Sequence, residues 1–136
     1  MTSFNIPDDR HYHEAHLWLK ATGVPGEYDV GITQFAQKQL GKILFVELPV
    51  TGATIAAGEP FGAVESNKIV SDLVSPISGT VLEGNALLRN AAHLVNEDCY
   101  GQGWIVRVKL DPSADLAGLL TAEIYGSRFA RISPAR

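Results

Sequence analysis

The chain has 136 residues, 46% of them hydrophobic, which is enough for one sizeable core and short for two. Its 15 acidic and 11 basic side chains give a formal charge of −4, and no basic stripe runs through the body, which argues against nucleic acid as a partner. Cys99 is the only cysteine, so an intramolecular disulfide and a multi-thiolate metal site within one chain are excluded, and any redox chemistry must be borrowed. No run of about 18 apolar residues is present, and residues 1–9 lack the charged and apolar regions of a signal peptide. A cytoplasmic location with no membrane partner is therefore expected.

Residues 1–11 read as an N-terminal lead-in, loose over the first nine, and 12–126 as one domain. Residues 12–19 alternate well enough to be a first strand. His11, His13 and His16 cluster there, and in a strand the first two share a face, as metal ligands do. With no nearby cysteine to complete a set, they are read as partly exposed strand histidines. A turn over 23–27 leads to a short strand at 29–32. Thr33 then caps a helix running to Leu40, closed by Gly41. Strand resumes over 43–48, at Ile55, and over 61–66, 69–74 and 80–82. One helical turn is expected at 85–90 and an alternating strand at 104–110. Gly101-Gln102-Gly103 lacks a third glycine and precedes a strand, so it is read as a turn. Ser113 is placed as the cap of a last helix, in which Leu116, Leu119, Leu120 and Ile124 keep the spacing of a buried face. Asp111 and Asp115 are read as part of that helix start rather than as acid–base groups. Residues 127–136 form a basic C-terminal tail with Arg128, Arg131 and Arg136.

The most informative stretch is Val64-Glu65-Ser66-Asn67-Lys68-Ile69-Val70-Ser71-Asp72-Leu73, where two strand-like runs meet at one amine. It reads as a β-hairpin with Asn67-Lys68 at its tip, because Asn tolerates the φ > 0 conformations that tight hairpin turns demand. Ser75-Pro76-Ile77-Ser78-Gly79 follows, where the proline ends pairing and Ser-Gly permits a reversal. The glycine-bounded pieces 52–58 and 79–84 echo one another and hint at two similar β-halves around the hairpin. Four serines, Ser66, Ser71, Ser75 and Ser78, lie nearby without a Gly-x-Ser-x-Gly elbow, so hydrolase chemistry is not expected.

Over 12–126 the chain resembles the lipoyl-carrying H-proteins of the glycine cleavage system. The residues carrying the likeness are Ile32-Thr33-Gln34-Phe35-Ala36-Gln37, Leu40-Gly41, Val46-Glu47-Leu48-Pro49, Gly58-Glu59-Pro60-Phe61-Gly62-Ala63-Val64-Glu65-Ser66, Lys68, Ser71-Asp72-Leu73, Ser75-Pro76-Ile77-Ser78-Gly79, Leu94-Val95-Asn96-Glu97-Asp98, Tyr100-Gly101 and Gly103-Trp104. The resemblance implies a mainly β fold, a lipoyl/biotinyl-carrier-like hybrid β-barrel/sandwich with short flanking helices and a C-terminal helix. It implies that lipoate is attached to Lys68 and that Glu65 is the family's carboxylate beside the modification hairpin. Glu65 and Asp72 are expected to mark the face recognised by the attaching enzyme or by partners, with Asn67 at the tip. The chain departs from the family at Asn67, where a small apolar or β-branched residue is usual, at Leu17, usually acidic, and at Cys99, usually proline.

The partners so implied are a lipoate-attaching enzyme, glycine decarboxylase, aminomethyltransferase and dihydrolipoamide dehydrogenase, the chain being a carrier and not an enzyme. A long arm on a rigid hairpin makes each later encounter intramolecular, at about millimolar effective concentration. H-protein relatives also serve sulfur oxidation beside heterodisulfide-reductase-like complexes, which is the alternative role. A non-lipoylated structural or regulatory relative would keep the fold alone. A biotinyl carrier would use the same hairpin with methionines on both sides of the lysine, where this chain has Asn67 and Ile69.

Overall fold

The computed structural model describes residues 4–130. Two antiparallel sheets enclose the core. The larger contains β1 (His11–His13), β2 (Leu17–Ala21), β3 (Glu27–Ile32), β9 (Val106–Leu110), β8 (Gly79–Gly84) and β5 (Thr54–Ile55), in that spatial order. The smaller contains β4 (Ile43–Glu47), β6 (Pro60–Ser66) and β7 (Val70–Val74), with β6 in the middle. Short helices α1 (Gln34–Leu40), α2 (Leu94–Glu97) and α3 (Ala122–Tyr125) and a 3-10 turn at Ala86–Arg89 fill the margins. The mainly β sandwich with flanking helices is the architecture expected from the sequence.

Alternation explains which side chains meet. Leu17, Leu19, Val30, Ile32, Val81, Val106 and Val108 point inward from the large sheet, and Val46, Phe61, Val64 and Leu73 from the small one. Fully burying each such side chain contributes about 1.5–3 kcal/mol. At the β1–β2 end the outer face of the large sheet is covered as well. Tyr12 and Trp18 are register partners there, and Tyr125 of α3 stacks on Tyr12 with ring centroids 5.0 Å apart. The Trp18 indole lies across Gly31 so closely that a Cβ at that position would stand 2.6 Å from the ring, so glycine is needed there.

Several expectations change. The single strand over 12–19 is a hairpin, β1 and β2, reversed at His16, which holds φ 72. The last helix does not start at Ser113: Thr121 caps it, its hydroxyl accepting from Ile124 N–H. Leu116 and Leu119 pack on the main core from turns, Leu120 bridges Tyr12, and Ile124 is exposed, so their spacing reflects tertiary contacts and not one helical face. Residues 4–10 are tied down rather than loose. Asn5 N–H donates to Gln34 Oε1 (2.7 Å), Tyr100 Oη donates to the Asn5 carbonyl (2.6 Å), and the Arg10 guanidinium lies 4.8 Å from the Trp18 ring centre. Arg128 is exposed, while Arg131 and Arg136 fall outside the described residues.

The helix from Thr33 to Gly41 forms as read, with the Thr33 hydroxyl accepting from Ala36 N–H and Gly41 N–H donating to the Gln37 carbonyl. The segments that echo each other are neighbours, Thr54 opposite Thr80 and Ile55 opposite Gly79. α2 forms where the sequence predicts no helix. After β7, buried Ser75 braces the crossing between sheets, its hydroxyl donating to the Ile77 carbonyl (2.6 Å).

Candidate functional site

The hairpin of β6 and β7 carries Lys68 at its tip, exposed, as the sequence leads one to expect. The turn is closed differently, because Asn67 is not in the left-handed region; among non-glycine described residues only His16 is. Bonds made by Ser66 shape the tip. Ser66 N–H donates to the Ile69 carbonyl (2.8 Å), and Ser66 Oγ accepts from Lys68 N–H (3.0 Å) and Ile69 N–H (3.2 Å). Such a side-chain acceptor replaces the backbone pairing that a two-residue turn would otherwise need.

Asn67 latches the tip to the segment before β4. Its backbone N–H donates to the Lys42 carbonyl (3.0 Å), and its Oδ1 accepts from Lys42 N–H (3.2 Å). The Lys68 stem crosses over Gly41, where φ is +89 and a Cβ would stand 3.0 Å from Lys68 Cε and 2.9 Å from Asn67 Oδ1. Beneath this, Asn96 of α2 holds the same segment. Its Oδ1 accepts from Ile43 N–H (2.8 Å), and its Nδ2 donates to the Gly41 carbonyl (2.8 Å) and to Gln37 Oε1 (2.9 Å). The amine thus stands on a braced base, yet Lys68 makes no salt bridge among the described residues. An exposed amine on a fixed tip suits acylation by an approaching enzyme, so these residues fit a covalently attached lipoyl group. The sequence alone does not place Asn96 and Gly41 in this base; the only signal is that both lie in blocks that carry the family resemblance.

Glu65 and Asp72 share the outward face of the small sheet. Glu65 lies between Phe45 and Val70 in one row, and Ala63 lies between Glu47 and Asp72 in the next outward row. Asp72 also borders a cleft of about 220 Å³, together with His16, Leu17, Phe35, Leu40 and Ser71. Glu65 does not. The cleft wall is largely apolar, with Asp72 its only carboxylate. His16 Nδ1 shares a 2.9 Å hydrogen bond with the Tyr125 hydroxyl, which in turn bonds Thr33 Oγ1 at 2.7 Å. Burial lowers the His16 pKa and pushes the Tyr125 phenol up to about 12, the latter despite the opposing Thr33 bond.

The histidine-rich start does not assemble a metal centre: among the described residues no group of three His, Cys, Asp or Glu side chains could hold an ion. Cys99 is buried, its thiol pushed up to about 12 by burial, and its carbonyl accepts from Trp18 Nε1–H (3.0 Å). No helix of the described residues is long and apolar enough to cross a membrane.

Two packed antiparallel sheets with an exposed lysine on a hairpin define the class of lipoyl-carrier-like domains. The family model described as "Glycine cleavage H-protein" matches residues 10–131. A "Probable glycine cleavage system H protein" of Haloarcula marismortui is 47% identical over 123 residues, covering 90% of this chain and 95% of its own. A "Glycine cleavage system H protein" of Bacillus cereus is 50% identical over 121 residues, covering 89% and 94%. The crystal structure of a glycine cleavage system H protein from Mycobacterium marinum superposes with a TM-score of 0.80 at 40% identity, over 90% of this chain and 97% of that one. The chain belongs to the glycine cleavage H-protein family.

Proposed function

We propose that the chain is the lipoyl-bearing carrier of glycine cleavage, with the lipoyl group attached through an amide to Lys68 Nζ. The observation carrying this reading is an exposed lysine at a hairpin tip that is braced by Ser66, Asn67 and Asn96, in a chain of the H-protein family. When attached, lipoate supplies a dithiolane whose disulfide accepts two electrons and, on reduction, a sulfur able to bear a carbon unit. The chain's own residues present it: the sheet and its latch fix the base of the arm, and the outward face offers Glu65 and Asp72 for recognition by the attaching enzyme or by a partner. Acylation also removes the lysine's charge. The implied partners are a lipoate-attaching enzyme, glycine decarboxylase, aminomethyltransferase and dihydrolipoamide dehydrogenase, with the chemistry residing in them. A cytoplasmic location belongs to the same reading. The names of the relatives speak for glycine cleavage and lend no support to sulfur transfer beside a heterodisulfide-reductase-like complex.

The test is intact mass after incubation with a lipoate-attaching enzyme, followed by glycine–bicarbonate exchange with purified glycine decarboxylase. Wild-type protein should gain one lipoyl group and support exchange. Lys68→Arg should do neither, while melting within about 0.5 kcal/mol of wild type, since the site is an exposed surface position. Lipoyl on Lys20, Lys38, Lys42 or Lys109 would overturn the assignment.

A further inference from the structure

The outward face of the small sheet has an uneven pattern that the lysine alone does not explain. In the row nearest the tip, Phe45, Glu65 and Val70 stand side by side on β4, β6 and β7. Phe45 is 54% exposed and Val70 is 69% exposed, and Ile69, next to the lysine, is 52% exposed. Two large apolar side chains about 10 Å apart thus flank one carboxylate. The next outward row holds Glu47, Ala63 and Asp72. From Ile43 to Val74 the only basic residue is Lys68, against the acidic Glu47, Glu59, Glu65 and Asp72. Outside that span, exposed Lys42 precedes β4 and bonds through its backbone to Asn67, and Arg89 shares a shallow pocket with Phe45, Glu47 and Leu48 at the β4 edge. An apolar seat with an acidic border is a docking surface for a partner of opposite character.

The identity of that partner follows from reach. Lys68 Nζ lies about 6 Å from its Cα at full extension, five bonds away. An enzyme that acylates this amine must therefore approach within a few ångströms of the tip, and the Phe45–Glu65–Val70 row is the first outward row it meets. Enzymes acting on the far end of a lipoyl arm work about 15 Å from the same Cα, some twelve bonds along, and can stand clear of that row. We propose that Phe45 and Val70, with Glu65 between them, form the docking seat of the lipoate-attaching enzyme, which meets it with an apolar contact ringed by basic side chains. This rests on reading Lys68 as the lipoylated residue. In the step itself the neutral amine attacks the acyl carbon of the enzyme's activated lipoyl donor. The bond to the donor's leaving group breaks with its electron pair, and one proton leaves the nitrogen as the amide forms.

The test compares attachment with use. Purified attaching enzyme and unmodified protein would be followed by intact mass to give kcat/KM, for wild type, for Phe45→Thr with Val70→Thr, and for Glu65→Gln. Each variant, driven to full lipoylation by long incubation, would then be assayed for exchange with glycine decarboxylase. Threonine keeps strand propensity at these exposed positions. The double variant should lose about tenfold or more in attachment, mainly through KM, as expected when central apolar anchors are removed. Glu65→Gln should lose several-fold and flatten the salt dependence of attachment. Exchange by the lipoylated double variant should stay within about twofold of wild type, as expected where a contact is not part of the docking core. If the double variant melts early, Val70→Lys replaces it, setting a cation against a basic partner, and the same loss of attachment is expected. Unchanged attachment in the variants would overturn the proposal while leaving Lys68 as the lipoyl site. An equal loss in attachment and exchange would also overturn it, assigning the face to the decarboxylase. A wild-type chain that takes no lipoate on Lys68 would remove the functional reading and this proposal together.

Discussion

At the scale of single residues, Asn96 ties down the segment under the hairpin tip through three bonds, to Gln37, Gly41 and Ile43, more than fifty positions away in the chain. Asn96→Ala should destabilise the fold by about 2 kcal/mol, since it strands a partly buried N–H and a carbonyl. Urea unfolding with an unchanged m-value is the measurement, and a loss under about 0.5 kcal/mol would mean that water takes over all three bonds. The lysine and its glutamate are legible in ten residues because their significance is local, whereas the roles of Asn96 and Asn67 depend on distant backbone. The Asn67 amide side chain matters through Lys42 and not through a left-handed turn.

Among elements, the first helix was legible to the residue because capping is chemistry within a few positions: Thr33 and Gly41 act on the backbone directly beside them. The last helix starts later than the spacing predicts because Leu116, Leu119 and Leu120 are packed by different neighbours, Leu120 through its bridge to Tyr12, while Ile124 is exposed. The break in the first strand was equally hidden, since nothing in the histidine itself announces φ 72. The lysine hairpin is the element in which local and distant constraints meet. Asn67→Val keeps strand propensity at the tip but deletes the Oδ1 acceptor for Lys42 N–H. Amide exchange at Lys42 should accelerate several-fold while the β6–β7 ladder stays protected, because an exposed bond is lost and the sheet is not. Unchanged exchange at Lys42 would show that the backbone bond from Asn67 N–H holds the segment alone.

For the whole molecule, pH dependence follows from where the histidines sit. Burial lowers the pKa of both His13 and His16 from the ordinary 6.5, with His13 lowering that of His16 further. A histidine held neutral in the fold is protonated more readily in the unfolded chain. Its stabilising contribution is therefore present above about 6.5 and is lost as pH falls from there through the folded pKa. The urea midpoint should decline between pH 7 and 5.5, before the region near 3.8 where Asp9, its pKa lowered chiefly by its hydrogen bond to Arg10, gives up its own contribution. His16→Asn, which tolerates the left-handed backbone, should flatten that decline. A midpoint that rises or stays level over this range would contradict the assignment.

Cys99 gives the assembled molecule a further property. The protein owns a single thiol, and the fold buries it, pushing it up to about 12, so that almost none is thiolate near neutrality. Thiol–disulfide exchange starts from an accessible thiolate. A disulfide borne outside on a tether thus has no rival on its own scaffold: it cannot be captured into a dead-end mixed disulfide by the protein that carries it. The redox state of a lipoyl group on Lys68 would then be set by partner enzymes and not by the scaffold.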